Sequence, residues 1–260
     1  MKKIKGFSII WVIITLLALA FLGIATYLII DSNNQMTDFG SYDYYSVIEA
    51  TKDNGYIGDH VKGSSDAPVL IFEYADYQCP GCASLNPKIN SIIEQLDGKV
   101  AVVYRSYLLS YHSNATAAAS AVEAAGLQGY WKVYGDRMFE GQDDWYYASA
   151  SERTEIFDNY FVEVTNGEGD LEKFHEDIAS ENVAKKISFD MGIGKRIDIQ
   201  GTPALYAYGQ WIDWSEAGSI TVNGQEITWD EGIGSEEGLL WLFERIYDAA
   251  MGVPAITESE

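Results

Sequence analysis

Cys79 and Cys82 are the only thiols in this 260-residue chain, and they stand three positions apart in Cys79-Pro80-Gly81-Cys82. An apolar run, Val69 to Phe72, leads into them, and a helix-like stretch, Ala83 to Leu96, leads away. A Cys-x-x-Cys that opens a helix places its first sulfur where unpaired N–H groups and the positive end of the helix dipole converge. A thiolate there is stabilised, with a pKa that falls to about 3.5–7.5 from roughly 8.5. The second sulfur, one turn on, can close a disulfide with the first or attack a mixed disulfide that the first has formed. Cys79 is thus the expected nucleophile and Cys82 the resolving thiol. Two other chemistries use the same spacing. Half of a zinc site would need two further ligands, but His60, His112 and His175 are scattered, with no second paired spacing. An inert structural disulfide would close a loop too short to restrain much of the unfolded chain.

The elements that must hold the pair are written on either side of it. Gly63-Ser-Ser-Asp66-Ala-Pro68 is a loop signal, and Val69–Tyr74 after it reads as a strand. Leu85, Ile89, Ile92, Ile93 and Leu96 recur at helical spacing. Pro80 suits the first turn of that helix, whereas Pro87 in its interior predicts a kink. Asp97-Gly98 ends the helix, and Val100–Tyr104 reads as a second strand, which completes a βαβ unit. Helical segments follow at Asn114–Gly126, Tyr130–Phe139, Ser151–Thr165 and Asp170–Gly192. Gly201-Thr202-Pro203 then leads into a third strand, Ala204–Tyr208. Asn223-Gly224 predicts a type I′ turn between Ile220–Val222 and Glu226–Thr228. Ser235 can cap a last helix whose buried side carries Leu239, Leu240, Leu242, Phe243 and Ile246.

Charge divides the chain. The net charge of −22 argues against a nucleic-acid partner, since no basic patch exists to displace counterions from phosphates. An acid excess of this size serves solubility, or else cation binding or a salty surrounding. Lys2, Lys3 and Lys5 precede an uncharged run from Phe7 to Ile30. As a helix that run would span roughly 36 Å, enough for a hydrocarbon core of about 30 Å. A cleaved signal peptide is the competing reading, but its apolar region should be only about 7–15 residues long. The run favours a retained transmembrane anchor at 7–30. A cytoplasmic N-terminus at 1–6 and an extracytoplasmic remainder follow from the lysines. Residues 31–62 read as a stalk with a short helix near Tyr44–Lys52, 63–250 as the main domain, and 251–260 as an acidic tail.

Together these residues resemble the thioredoxin superfamily, in its DsbA-like branch of membrane-tethered or periplasmic thiol–disulfide oxidoreductases. Cys79-Pro80-Gly81-Cys82 follows a strand and opens a helix, and Pro87 stands where this superfamily kinks its active-site helix. A helical insertion, about 112–192, separates the βαβ half from the ββα half, and Gly201-Thr202-Pro203 sits where the family has its cis-proline loop. The approach Gly63-Ser-Ser-Asp-Ala-Pro-Val69 and Asp76-Tyr-Gln-Cys79 is also similar to bacterial membrane-anchored members. The resemblance implies an α/β thioredoxin-like fold with a helical insertion, preceded by the transmembrane helix.

It also implies roles. Thr202 and a cis Pro203 should lie beside Cys79. The proline should keep metal from the thiols, and the Gly201-Thr202 backbone should receive an extended substrate peptide. Glu73 matches a buried acid that could take a proton from Cys82, or else it is an acid on a sheet edge. His112 opens a His-Ser-Asn-Ala stretch similar to one in the family and is read as structural. The expected activity is oxidation of cysteine pairs on unfolded exported proteins, without a cofactor other than the Cys79–Cys82 disulfide. Reoxidation would fall to a membrane quinone-linked partner of the DsbB or VKOR kind. A reductase, an isomerase or a non-catalytic binding module of the same fold are the alternatives. The departure is Pro80-Gly81, which carries no histidine, so helix dipole and backbone N–H groups are expected to stabilise the thiolate alone.

Overall fold

The β-branched runs on either side of the cysteine pair become the two innermost strands of a five-stranded sheet. The computed structural model describes residues 9–34, 37–230 and 232–253, and the chain divides into two units, Met1–Ser41 and Tyr42–Glu260. In the first unit, α1 runs over Ile9–Asn34. Among the described residues no helix is long and apolar enough to cross a membrane; within α1, side chains are described only for Trp11 and residues 13–24. The expected cytoplasmic residues 1–6 and most of the acidic tail, 254–260, lie outside the described residues.

In the second unit the strands are β1 (His60–Lys62), β2 (Val69–Ala75), β3 (Val100–Ser106), β4 (Ala204–Ala207) and β5 (Gln210–Ile212), in the spatial order β1-β3-β2-β4-β5. β2 and β3 are parallel, joined by α2 (Pro80–Gln95), and the other neighbours are antiparallel. Every residue of β3 is buried, as a strand covered on both faces must be. A separate hairpin of β6 (Gly218–Val222) and β7 (Gln225–Trp229) turns at Asn223 and Gly224, both with positive φ. That pair of left-handed residues is what a type I′ turn demands. The closing helix α9 (Glu236–Ala250) is capped by Ser235, whose hydroxyl accepts from the Gly238 N–H at 3.0 Å.

One core packs α2, α9 and the hairpin on the sheet through Ile71, Ile89, Val102, Ile227 and Phe243. The other belongs to the helical insertion, which comprises α3 (Ala115–Leu127), α4 (Trp131–Glu140), α5 (Gln142–Trp145), α6 (Ala150–Val164), α7 (Leu171–Ile178) and α8 (Glu181–Arg196). Alanines line α3 on most sides, so it can be buried against α4, α7 and α8 together. The single segment expected over 170–192 is two helices. Ser180 ends one and caps the next by accepting from Val183 N–H.

The stalk expected over 31–62 is corrected from Tyr42 onward. Ile48, Asn54 and Ile57 are buried, and β1 is a sheet strand. The short helix near Tyr44–Lys52 is absent, because its backbone bonds elsewhere. The Arg105 guanidinium donates to the Tyr44 carbonyl at 2.5 Å and to the Ser46 carbonyl at 2.9 Å, while Ile48 N–H donates to Asp59 at 3.0 Å. α2 passes through Pro87 without a break, although that residue cannot donate to the Ala83 carbonyl.

Candidate active site

Helix α2 begins at Pro80, so Cys79 is its N-cap residue, with extended dihedrals. Its side chain makes no formal cap bond, but the Gly81 and Cys82 N–H groups act on its sulfur. Proline at the first position costs no hydrogen bond there. Cys79 is 7% exposed and Cys82 fully buried, and both are thiols in this structure. The Thr202–Pro203 peptide is cis. Its loop meets the helix start, with the Cys79 thiol donating to the Thr202 carbonyl at 3.2 Å. Gly81 makes that approach possible. A Cβ there would stand 3.0 Å from Pro203 Cδ and 3.7 Å from Cys79 Sγ. The structure therefore brings Cys79, Cys82, Thr202 and Pro203 together from positions about 120 apart in sequence. Gly201 lies in the same loop.

The two thiols are driven in opposite directions. Cys79 is pulled down to about 5, first by the Cys82 thiol as hydrogen-bond partner and then, against the cost of burial, by Thr202 and the N–H groups of Cys82 and Gly81. Burial pushes Cys82 well above the ordinary thiol range, and the neighbouring Cys79 sulfur adds to this. The expectation that dipole and backbone act alone is thus corrected, because a side-chain partner contributes most. The Thr202 hydroxyl is buried without a geometrically formed hydrogen bond, so its share depends on its proton turning toward the sulfur. Such a pair has a ready thiolate at one position and a proton-holding thiol at the other.

Glu73 is not on a sheet edge. It sits in β2, opposite Tyr104 of β3 and Leu205 of β4, fully enclosed. Burial raises its pKa, with the Lys62 charge opposing, and its Oε2 has no hydrogen-bond partner. Its charge is felt at Cys82. Lys62 is buried too and bonds the Asn86 side-chain oxygen, with Asp136 at 3.9 Å.

Other residues about the pair gave little signal in sequence. Asp76 lies beneath the turn. Its N–H points at Cys82 Sγ at 3.5 Å, and its carboxylate accepts from Gln78 N–H, Leu109 N–H and His112 Nδ1 at 2.8–2.9 Å. His112, read as structural, is therefore tied to the residue behind the resolving thiol. Gln78 donates to the Tyr146 carbonyl at 2.8 Å and accepts from Asn114 N–H at 2.6 Å. On the other side of Cys79, Ile199, Gly201 to Ala204, Tyr206 and Trp211 border a cleft of 290 Å³. Among the described residues no group of three His, Cys, Asp or Glu side chains could hold a metal ion.

Comparisons with known proteins agree with this geometry. The family model described as Thioredoxin matches residues 56–220. An Na(+)/H(+) antiporter, NhaA 1, of Mycolicibacterium vanbaalenii is 32% identical over 154 residues, which cover 58% of this chain but only 23% of that protein. The chain thus spans about a quarter of the length of such relatives. A probable disulfide bond formation protein D of Bacillus cereus is 27% identical over 181 residues, 64% of this chain and 79% of that one. The crystal structure of oxidised BdbD from Bacillus subtilis superposes with a TM-score of 0.56 at 19% identity, covering 78% of this chain and 98% of that one. Wolbachia pipientis α-DsbA1 superposes with a TM-score of 0.55 at 21% identity, covering 75% and 93%. The chain belongs to the thioredoxin family, and its fold is that of the DsbA-like thiol–disulfide oxidoreductases.

Proposed function

We propose that the protein is an extracytoplasmic, membrane-anchored thiol oxidase that transfers its Cys79–Cys82 disulfide to cysteine pairs of unfolded exported proteins. The observation that carries this reading is the contrast between the two thiols. A substrate thiolate attacks Cys79, the more accessible sulfur, and the Cys79–Cys82 bond breaks. Cys82 leaves and takes up a proton, for which buried Glu73, a carboxyl of raised pKa whose charge acts on Cys82, is the candidate acid. A second substrate thiolate then attacks the substrate sulfur of the mixed disulfide, and Cys79 departs as a stable thiolate. Two electrons and one proton have moved to the enzyme, which now holds a Cys79 thiolate and a Cys82 thiol, and the other substrate proton has gone to solvent. A membrane quinone-linked oxidase of the DsbB or VKOR kind would restore the disulfide. The cis-proline loop, through Gly201 and Thr202, and the cleft beside it suit an extended peptide.

Anchoring is supported by the uncharged run Phe7–Ile30 and by the large apolar side chains of α1 that are exposed, among them Trp11, Leu16, Leu19 and Phe21. The N-terminus would then be cytoplasmic and the second unit outside.

Equilibration with a glutathione buffer tests the direction of transfer. A thiolate pKa of about 5 lies between about 7 for thioredoxin and about 3.5 for DsbA. The expected potential therefore falls between roughly −270 and −120 mV. A value at or below that of thioredoxin would make reductase the better name.

A further inference from the structure

The turn that delivers Cys79 to its helix is held by a side chain from the insertion. Gln142, the first residue of α5, is buried. Its Nε2 donates to the Tyr77 carbonyl at 2.7 Å and to the Cys79 carbonyl at 3.2 Å. Both partners are acceptors only, so the amide can face them with its nitrogen alone. The Cys79 carbonyl also accepts the first bond of α2, from Ala83 N–H at 3.1 Å. The carbonyl that starts the helix thus has a second donor, and that donor also fixes the chain two residues earlier.

Gln142 is itself braced. Gly141 before it lies so close to Tyr160 that a Cβ would stand 2.0 Å from the Tyr160 hydroxyl. Trp145, at the far end of α5, is fully buried and donates to the Met138 carbonyl at 3.1 Å. These contacts leave the amide little freedom.

We propose that Gln142 is a positioning residue for the reactive thiol: by clamping the Tyr77 and Cys79 carbonyls from the helical insertion, it keeps the first-turn N–H groups of α2 aimed at the Cys79 sulfur. The proposal rests on the thiol oxidoreductase reading and deepens it. Pro80-Gly81 places no charged side chain between the cysteines, so the aim of neutral donors decides more. Hydrogen bonds weaken steeply as their angle departs from linearity, and a released turn would lose part of that stabilisation. The positive end of the Gln142 N–H also offsets the negative end of the Cys79 carbonyl beside the thiolate.

The test compares Gln142→Met, which keeps length and removes both donors, with Tyr134→Phe, which removes a buried hydrogen bond of the insertion, to the Phe157 carbonyl at 3.1 Å, away from the turn. Thiolate absorbance is followed across pH in the reduced full-length protein, alongside equilibrium with glutathione and thermal melting. Gln142→Met should shift the Cys79 titration upward and move the glutathione equilibrium toward the disulfide by about three- to tenfold, a half to one pKa unit. Tyr134→Phe should cost melting temperature and leave the titration in place. An unchanged titration in Gln142→Met, or an equal shift in Tyr134→Phe, overturns the assignment. Should Gln142→Met fail to fold, Gln142→Asn carries the same comparison, because its shorter amide falls short of the carbonyls. The wild-type titration separates the two levels. An ordinary thiol there would sink the oxidoreductase reading itself, whereas a low value with no response to Gln142 sinks only the clamp.

Discussion

Cys82→Ser should turn the protein from a catalyst into a trap. Cys79 keeps its helix-start position, so it can still form a mixed disulfide with an oxidised substrate, but nothing at position 82 remains to resolve it. Mixed disulfides with substrate proteins should accumulate and survive on non-reducing gels. Cys79→Ser should do the reverse, with oxidation of a reduced, unfolded test protein falling by at least about a thousandfold, as expected when the group that forms the covalent intermediate is removed. Cys82 cannot substitute, because it is fully buried and its thiol holds its proton. Both variants lack the disulfide and lose oxidation, so the division of roles is read from the trap: mixed disulfides that accumulate equally in Cys79→Ser and Cys82→Ser would contradict it.

The second large effect lies away from the sulfur chemistry. Arg105 is fully buried and donates to Asp59 at 2.6 Å, to the Tyr74 hydroxyl at 3.0 Å and to the carbonyls of Tyr44 and Ser46. Lys186, also buried, joins Asp59 at 3.2 Å to Asp190 at 2.8 Å. Burial lowers the Arg105 pKa, but the charges of Asp59 and Tyr74 and the hydrogen bonds to both together outweigh it and push it up. Arg105→Met removes the guanidinium and leaves Asp59 with Lys186 as its remaining cation. Removing one partner of a buried pair typically costs 3–5 kcal/mol, and the loss should be near the lower end, about 3 kcal/mol. Against a usual total of roughly 5–15 kcal/mol this is severe. Urea denaturation should show a lower midpoint, and residues 42–59 should become protease-sensitive. Adding Asp59→Asn should recover part of the loss, since it removes the under-compensated charge. A midpoint unchanged in Arg105→Met would mean that the cluster does not hold this segment.

That cluster also shows where sequence reading stopped. The cysteine pair, the strand before it, the Asn223-Gly224 hairpin and the Ser235 cap were legible because each is local. A turn or a cap is specified within a few residues. The Thr202-Pro203 loop lies far downstream, yet it could be placed because the family resemblance supplied the distance. Nothing local told that Tyr42 to Asp59 would fold onto the domain. The reason is a guanidinium 46 residues beyond Asp59 and an ammonium 127 residues beyond it. In sequence, Lys186 and Asp190 look like an exposed ion pair on a helix, and their complete burial follows only from packing against β3 and Asp59. Gln142 and Asn114 likewise carry no periodicity, and their importance lies in which carbonyls they reach. Glu73 was ambiguous because β2 is apolar on both faces, so alternation could not separate an edge strand from a central one.

The central claim is that Cys79 is a thiolate at neutral pH because the start of α2 sets it against the Cys82 thiol, Thr202 and the first-turn N–H groups. Alkylation of the reduced protein by iodoacetamide, followed across pH, tests it most directly, since only the thiolate reacts. With the Cys79 pKa at about 5, the rate should be nearly flat above pH 6 and fall as pH drops through 5. A rate that keeps rising to pH 8 or beyond, as for an ordinary thiol with a pKa of roughly 8.5, would contradict the account.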